Sequence, residues 1–252
     1  MSVSAPPGGG RFAEALAAVA GVEGWMTDAQ ARRLWDAAAR LRAPATVLEI
    51  GSYRGRSAII LARAASPGVQ IVAIDPHAGT DRGPQEIHGT PDEGDADHDA
   101  FTANLRAAGV TEAVRHVRAF SQEALGAVEG ALDVVYVDGA HRYAPARDDL
   151  AGWGARVAPG GTLLVHDAFS SIGVTLALLR LLVFSPAFRY AGRSGSLVEY
   201  RREPVAGRAR ARNAARQLPS LGWFARNVAV KVALTLRLRP VARLLGADQW
   251  PY

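Results

Sequence analysis

Residues 46–57 read Thr-Val-Leu-Glu-Ile-Gly-Ser-Tyr-Arg-Gly-Arg-Ser, and no other stretch limits the fold as tightly. Residues 46–50 are a short apolar run rich in β-branched side chains, which predicts a buried strand. Gly51 ends that run and Gly55 opens the next segment, where residues 57–65 predict a helix. A strand, a glycine turn and a helix N-terminus place backbone N–H groups at the C-terminal edge of a sheet. Open α/β sheets bind their ligands there.

The spacing narrows the ligand. A dinucleotide fingerprint needs G-x-G-x-x-G so that backbone can approach a pyrophosphate. Here the pattern is E-x-G-x-x-x-G, with Tyr53 where the second glycine would stand. This disfavours a nucleotide-dependent oxidoreductase, the competing enzyme reading. Glu49 would repel a pyrophosphate but suits a cationic ligand. A second apolar run, residues 70–74, ends in Asp75, a position from which a carboxylate can accept ribose hydroxyls. Acids at two neighbouring strand ends fit a nucleoside that carries a positive, amino-acid-like group.

Two further motifs follow in order, Val137-Asp138-Gly139-Ala140-His141 and Pro159-Gly160-Gly161-Thr162-Leu163-Leu164-Val165-His166-Asp167. With Glu49-x-Gly51-x-x-x-Gly55 and Asp75, they make residues 25–202 resemble a class I S-adenosylmethionine-dependent methyltransferase. The branch most similar contains the macrolide-sugar and cephalosporin-type O-methyltransferases. The resemblance implies a Rossmann-like α/β fold: a seven-stranded, mostly parallel sheet with an antiparallel last strand, in three αβα layers. It implies S-adenosylmethionine bound by Glu49, Gly51, Ser52, Gly55, Ser57, Asp75 and Asp138, with Phe120 and Ser121 at the adenine. It implies a hydroxyl of a small molecule or glycoside as acceptor.

The resemblance also implies magnesium, held by an Asp at position 138 and an acid pair at 166–167. Here the pair is His166-Asp167, so the expected ligands are Asp138, His166 and Asp167. Magnesium prefers oxygen, whereas imidazole suits softer divalent metals. Asp138 and His141 are the expected catalytic residues. His141 lies where those sugar O-methyltransferases carry their general base, and an imidazole titrating near neutrality suits that task. His166 is the alternative base, His141 then only ordering its loop, and Tyr143 is expected to line the acceptor pocket.

At 252 residues the chain has room for one α/β domain with appendages. It has no cysteine, which excludes disulfides, thiolate chemistry and zinc–cysteine sites. Residues 1–10 have no apolar core of a signal peptide and read as a disordered tail. The longest apolar run, residues 172–184, is too short to span a membrane. A cytoplasmic protein is the expectation, with residues 11–203 as the methyltransferase domain.

Charge is unevenly spread. Residues 203–252 hold nine Arg or Lys against two acids, and the remainder holds 20 basic and 22 acidic residues. Residues 204–252 are therefore expected to form a basic, helical C-terminal extension, although residues 228–239 taken literally alternate with the period of a strand. Arginines among Trp223, Phe224, Val228, Leu234, Leu238 and Trp250 suit an anionic membrane surface, which would make the protein peripheral to the membrane. Packing on the domain or on a second subunit of a homo-oligomer is the competing reading. Few aromatics are available for base stacking, which argues against a nucleic-acid-binding module.

Along the rest of the chain the expected helices are residues 11–20, 28–41 (behind a capping box at residues 27–30), 99–108, 143–157 and 171–184. Further strands are expected at 114–119, 132–137, 162–165, 188–191 and 196–201. Trp25 and Met26 are expected to pack in the core, with the cofactor-side edge as the alternative. Residues 76–99, crowded with Asp92, Glu93, Asp95, Asp97 and Asp99, read as a long polar loop, either a lid over the acceptor or a solvated acidic loop. Residues 159–161 are expected to stop the helix before them.

Overall fold

The computed structural model describes residues 9–80 and 89–246. The apolar runs become β1 (Ala45–Ile50), β2 (Val69–Ile74), β3 (Val114–Val117), β4 (Leu132–Val137), β5 (Val157–Val165), β6 (Phe188–Ser194) and β7 (Leu197–Arg202). They form one sheet in the order β3-β2-β1-β4-β5-β7-β6. Pairings from β3 through β5 are parallel, while β7 runs antiparallel to both β5 and β6. The expected seven-stranded, Rossmann-like sheet is present. Chain order reverses between β1 and β4, the switch point at which such sheets open a crevice.

Strand periodicity builds the layers. Val47 of β1 and Ile71 of β2 face one side, where they pack with helices α1 (Gly9–Ala18), α2 (Asp28–Ala39), α3 (Arg56–Ala64) and α4 (Pro91–Ala107). Leu48 and Val72 face the other side and pack with α5 (Tyr143–Gly152) and α6 (Ile172–Leu181). Successive strand side chains point to opposite faces, so each buried strand feeds two cores.

Several expectations need correction. Residues 76–99 are not one loop. Thr90 caps α4, accepting from the Glu93 backbone N–H, while the Glu93 carboxylate accepts from the Thr90 N–H. With Pro91 in the first turn this is a full helix start, and the carboxylates of Asp92 and Glu93 suit its positive end. The acidic run is thus largely helix surface; residues 81–88, the remainder of the expected lid, lie outside the described residues. The helix expected over 143–157 ends at Gly152, and residues 159–161 lie inside β5, at the register shift between the β4 pairs of Leu132 and Val134.

The C-terminal extension folds as α7 (Gly207–Ala215), α8 (Pro219–Thr235) and α9 (Arg239–Leu244). The alternating stretch therefore enters a helix, its period of two overridden by packing. Val230 and Ala233 are buried, and Leu221, Trp223 and Phe224 pack against the second core. The tail expected over residues 1–10 begins its helix at Gly9, and residues 1–8 lie outside the described residues.

Candidate active site

Gly51 adopts φ 83°, and a Cβ there would collide with the carbonyl of Asp138. That close approach joins the β1 and β4 ends, with Asp138 N–H donating to the Ile50 carbonyl at 2.8 Å. Gly55, φ 87°, caps α3 and brings the helix start against the Phe101 ring. The turn between them is pinned by Asp75. Its Oδ2 accepts from Ser52 N–H (2.9 Å) and Tyr53 N–H (2.8 Å), and its Oδ1 from His77 N–H (2.8 Å). The β2 acid is therefore first an internal clamp on the glycine turn.

A cavity of about 310 Å³ opens above this turn. Several buried polar atoms in and beside it have no hydrogen-bond partner: both carboxyl oxygens of Glu49, Ser52 Oγ and Arg56 Nε. Burial pushes the Glu49 carboxyl up to about 8; the nearby Ser57 hydroxyl tempers this without reaching hydrogen-bond geometry, and Asp138 and Asp75 add to it. Burial without a partner thus favours the protonated form of Glu49. On the far wall, half-exposed Phe120 precedes Ser121, whose hydroxyl bonds to Asp149, as does Gln122 Nε2 at 3.0 Å. Burial raises the Asp149 pKa against those two hydrogen bonds.

The ends of β4 and β5 bring a second group together. Parallel pairing of Val137 with Val165 places Asp138 beside His166 and Asp167. His166 Nδ1 lies 3.1 Å from Asp138 Oδ1 and 3.0 Å from Asp167 Oδ2. Burial alone would lower the His166 pKa, but the two carboxylates outweigh it and hold it well above the usual imidazole range. Asp167 shows the mirror effect: burial raises its pKa, and His166 and His141 pull it well below the usual carboxylate value. His141 Nε2 lies 2.9 Å from Asp167 Oδ2, and Tyr136 Oη donates to Asp138 Oδ2 at 2.6 Å. Among the described residues, Asp138, His141 and Asp167 offer ligating atoms within 4.8 Å of one another.

A family model described as a methyltransferase domain matches residues 48–168, the stretch that carries every element of this site from Glu49 to Asp167. Over those residues the chain is a methyltransferase domain, and it resembles the class I S-adenosylmethionine-dependent methyltransferases. Its fold is shared with the O-methyltransferase TomG from Streptomyces achromogenes, involved in tomaymycin synthesis and solved with S-adenosylmethionine. That structure is 18% identical, covers 81% of this chain and 92% of its own, and gives a TM-score of 0.56. An O-methyltransferase from Bacillus cereus in complex with S-adenosylhomocysteine is 16% identical, with 79% and 93% covered and a TM-score of 0.55. The O-methyltransferase NovP is 19% identical, with 69% and 80% covered and a TM-score of 0.55.

In this methyltransferase the residues singled out from sequence fall mostly on one cavity. Gly51, Ser52, Ser57, Asp75, Phe120, Ser121, Asp138, His141, His166 and Asp167 line it. Glu49 and Gly55 sit behind the wall, and Tyr143, expected at the acceptor pocket, is not among the lining residues. The expected metal group is brought together, but the set within 4.8 Å takes His141 in place of His166. Sequence reading missed Arg56, His77, Arg142 and Asp149, which also line the cavity. Met26 packs in the core and also lines the cavity, as does Trp25, whose ring lies 5.4 Å from that of Tyr53. The signal for Arg56 was available: it is the first helical residue after the capping glycine, where a side chain can meet an anionic group.

Proposed function

We propose that this methyltransferase methylates a hydroxyl of a small molecule or glycoside, with His141 as general base. The observation that carries the reading is the 2.9 Å contact of His141 Nε2 with Asp167 Oδ2 at the cavity wall. The buried atoms fit the cofactor. Glu49, unpartnered, suits the ammonium of its amino-acid part, and Arg56 Nε suits the carboxylate. Asp75 accepts three backbone N–H groups and keeps capacity for a ribose hydroxyl. Phe120 and Ser121 would border the adenine. Bound there, S-adenosylmethionine would supply a methyl group activated on a sulfonium.

His141 would take the proton of the acceptor hydroxyl as the oxygen gains its methyl group. Asp167 orients the imidazole and stabilises the imidazolium that results. One proton on His141 balances the exchange of O–H for O–CH3, because the thioether departs neutral. Asp138, held by Tyr136 and His166, would border the same hydroxyl. The rest is alignment inside a walled cavity, which supplies much of the rate in such transfers.

Magnesium is a poor match to this donor set. Only two carboxylates are present, and a charged imidazole nitrogen lies between them. A softer divalent ion on Asp138, His141 and Asp167 is the second reading, favoured by their 4.8 Å clustering. His141 would then be a ligand rather than the base.

We propose separately, from its charge and exposed apolar residues, that the extension contacts an anionic lipid surface. Residues 204–246 carry nine Arg or Lys and no acid. Beyond the face of α8 that packs on the domain, Val232, Leu236, Leu238, Val241 and Leu244 are exposed. Among the described residues no helix is long and apolar enough to cross a membrane. Self-pairing through this basic extension would set cations against cations, which disfavours it as a homo-oligomer contact.

The test is incubation with S-adenosylmethionine carrying a trideuterated methyl group and a panel of hydroxylated small molecules and glycosides. A labelled methyl ether identified by fragmentation supports the reading. Label found only on nitrogen or carbon overturns it.

A further inference from the structure

The turn after β5 is unusual backbone. Asp167 has φ 53° and Phe169 φ 57°, and neither is glycine. Such residues stay left-handed only where their surroundings hold them. From within, Ser170 and Ser171 N–H donate to the Asp167 carbonyl, and Ala168 N–H donates to Ser196. None of these bonds uses the carbonyls of Phe169 and Ser170, two residues that are each 1% exposed.

Helix α8 meets them. Lys231 Nζ donates to the Ser170 carbonyl at 2.9 Å, and Asn227 Nδ2 to the Phe169 carbonyl at 3.4 Å. Asn227 is fully buried. The two residues stand one helical turn apart on α8, so they face the turn together. Trp223 and Phe224, one turn earlier, pack on the second core and seat the helix. Lys231 also places its charge near Asp167.

We propose that Asn227 and Lys231 are positioning residues: from the C-terminal extension they fix the left-handed turn that presents Asp167 to His141. This rests on the reading of His141 and Asp167 as a working pair. The extension is then a part of the active site that folds from a distant stretch of chain. Lys231 acts through Asp167 and not on the acceptor.

The experiment is nitrogen-15 NMR of the histidine rings in the full-length protein, comparing wild type with Asn227→Ala, Lys231→Met and Lys231→Arg. Calorimetry with S-adenosylhomocysteine runs in parallel. The expected result is a displaced His141 Nε2 resonance in Asn227→Ala and Lys231→Met and a return toward wild type in Lys231→Arg, which keeps the donor. Affinity for S-adenosylhomocysteine should stay within about twofold. An unchanged His141 resonance in both Asn227→Ala and Lys231→Met overturns the proposal. So does an equal displacement in Lys231→Arg, or a loss of cofactor affinity that shows a general collapse of the cavity. Failure of the wild type to bind S-adenosylhomocysteine would count against the cofactor site instead, and leaves the NMR comparison readable.

Discussion

His141 Nε2 and Asp167 Oδ2 lie 2.9 Å apart although one belongs to the connection after β4 and the other to the turn after β5. A carboxylate with its pKa held well below the usual range is a durable acceptor for an imidazole N–H. His141→Ala should lower turnover by about 10²–10⁴-fold, the usual share of a general base, with cofactor affinity little changed. A fall of less than about tenfold would show that His141 is not the base.

Metal dependence separates the two readings of the same cluster. Activity should survive dialysis against excess chelator, because the space between the two carboxylates is spanned by His166. Loss of activity, restored by manganese or zinc but not by magnesium, would instead make His141 a ligand.

Glu49 predicts a pH dependence with a definite sign. Its folded pKa of about 8 stands above the ordinary 4.5. Between those values the folded protein keeps a proton that the unfolded chain has lost. Stability should therefore fall as pH rises from about 4.5 to about 8, and Glu49→Gln should flatten that slope. A ligand ammonium favours the carboxylate, so cofactor binding at pH 7 should expel up to about one proton. Calorimetry in buffers of different ionisation enthalpy measures this, and the same release in Glu49→Gln would refute it.

Asp75 serves the turn before it serves a ligand. Asp75→Ala leaves the backbone N–H groups of Ser52, Tyr53 and His77 without their acceptor. Hydrogen bonds to a charged group are worth about 1.5–3 kcal/mol each, so the variant should melt earlier and bind cofactor more weakly. Weaker binding with an unchanged melting temperature would show that Asp75 acts on the ligand alone.

What the sequence disclosed was what is local. The β1 run, its two glycines and the acids at three strand ends stand close in sequence to the elements that aim them. The start of α4 was equally local, a Thr90–Glu93 capping box, but the crowd of acids behind it suggested a loop, either a lid or a solvated one. Residues 159–161 look like a helix stop, yet they belong to β5 because its pairing with β4 extends past the register shift. The bonding of Asp149 to Ser121 and of Lys231 to Ser170 was illegible for a different reason. Each depends on packing between distant elements, which no periodicity records.

Membrane contact tests the outer face of the extension. Full-length protein should co-sediment with vesicles rich in anionic lipid at low salt and be released at high salt, since each basic residue near such a surface contributes about 1 kcal/mol and salt screens it. Leu236→Ser with Leu244→Ser, both exposed, should weaken this without altering fold. Protein that stays in the supernatant at low salt would remove the membrane from the account.

Calorimetric titration of S-adenosylmethionine, with NAD as comparison, into wild type and Gly51→Val decides whether the turn after β1 is a cofactor site. Gly51 is the point where the cofactor turn touches Asp138, and no side chain fits there. The wild type should show one saturable site for S-adenosylmethionine and none for NAD, and Gly51→Val should lose the site. Absence of binding to folded wild-type protein, or unchanged affinity in a folded Gly51→Val variant, would contradict this.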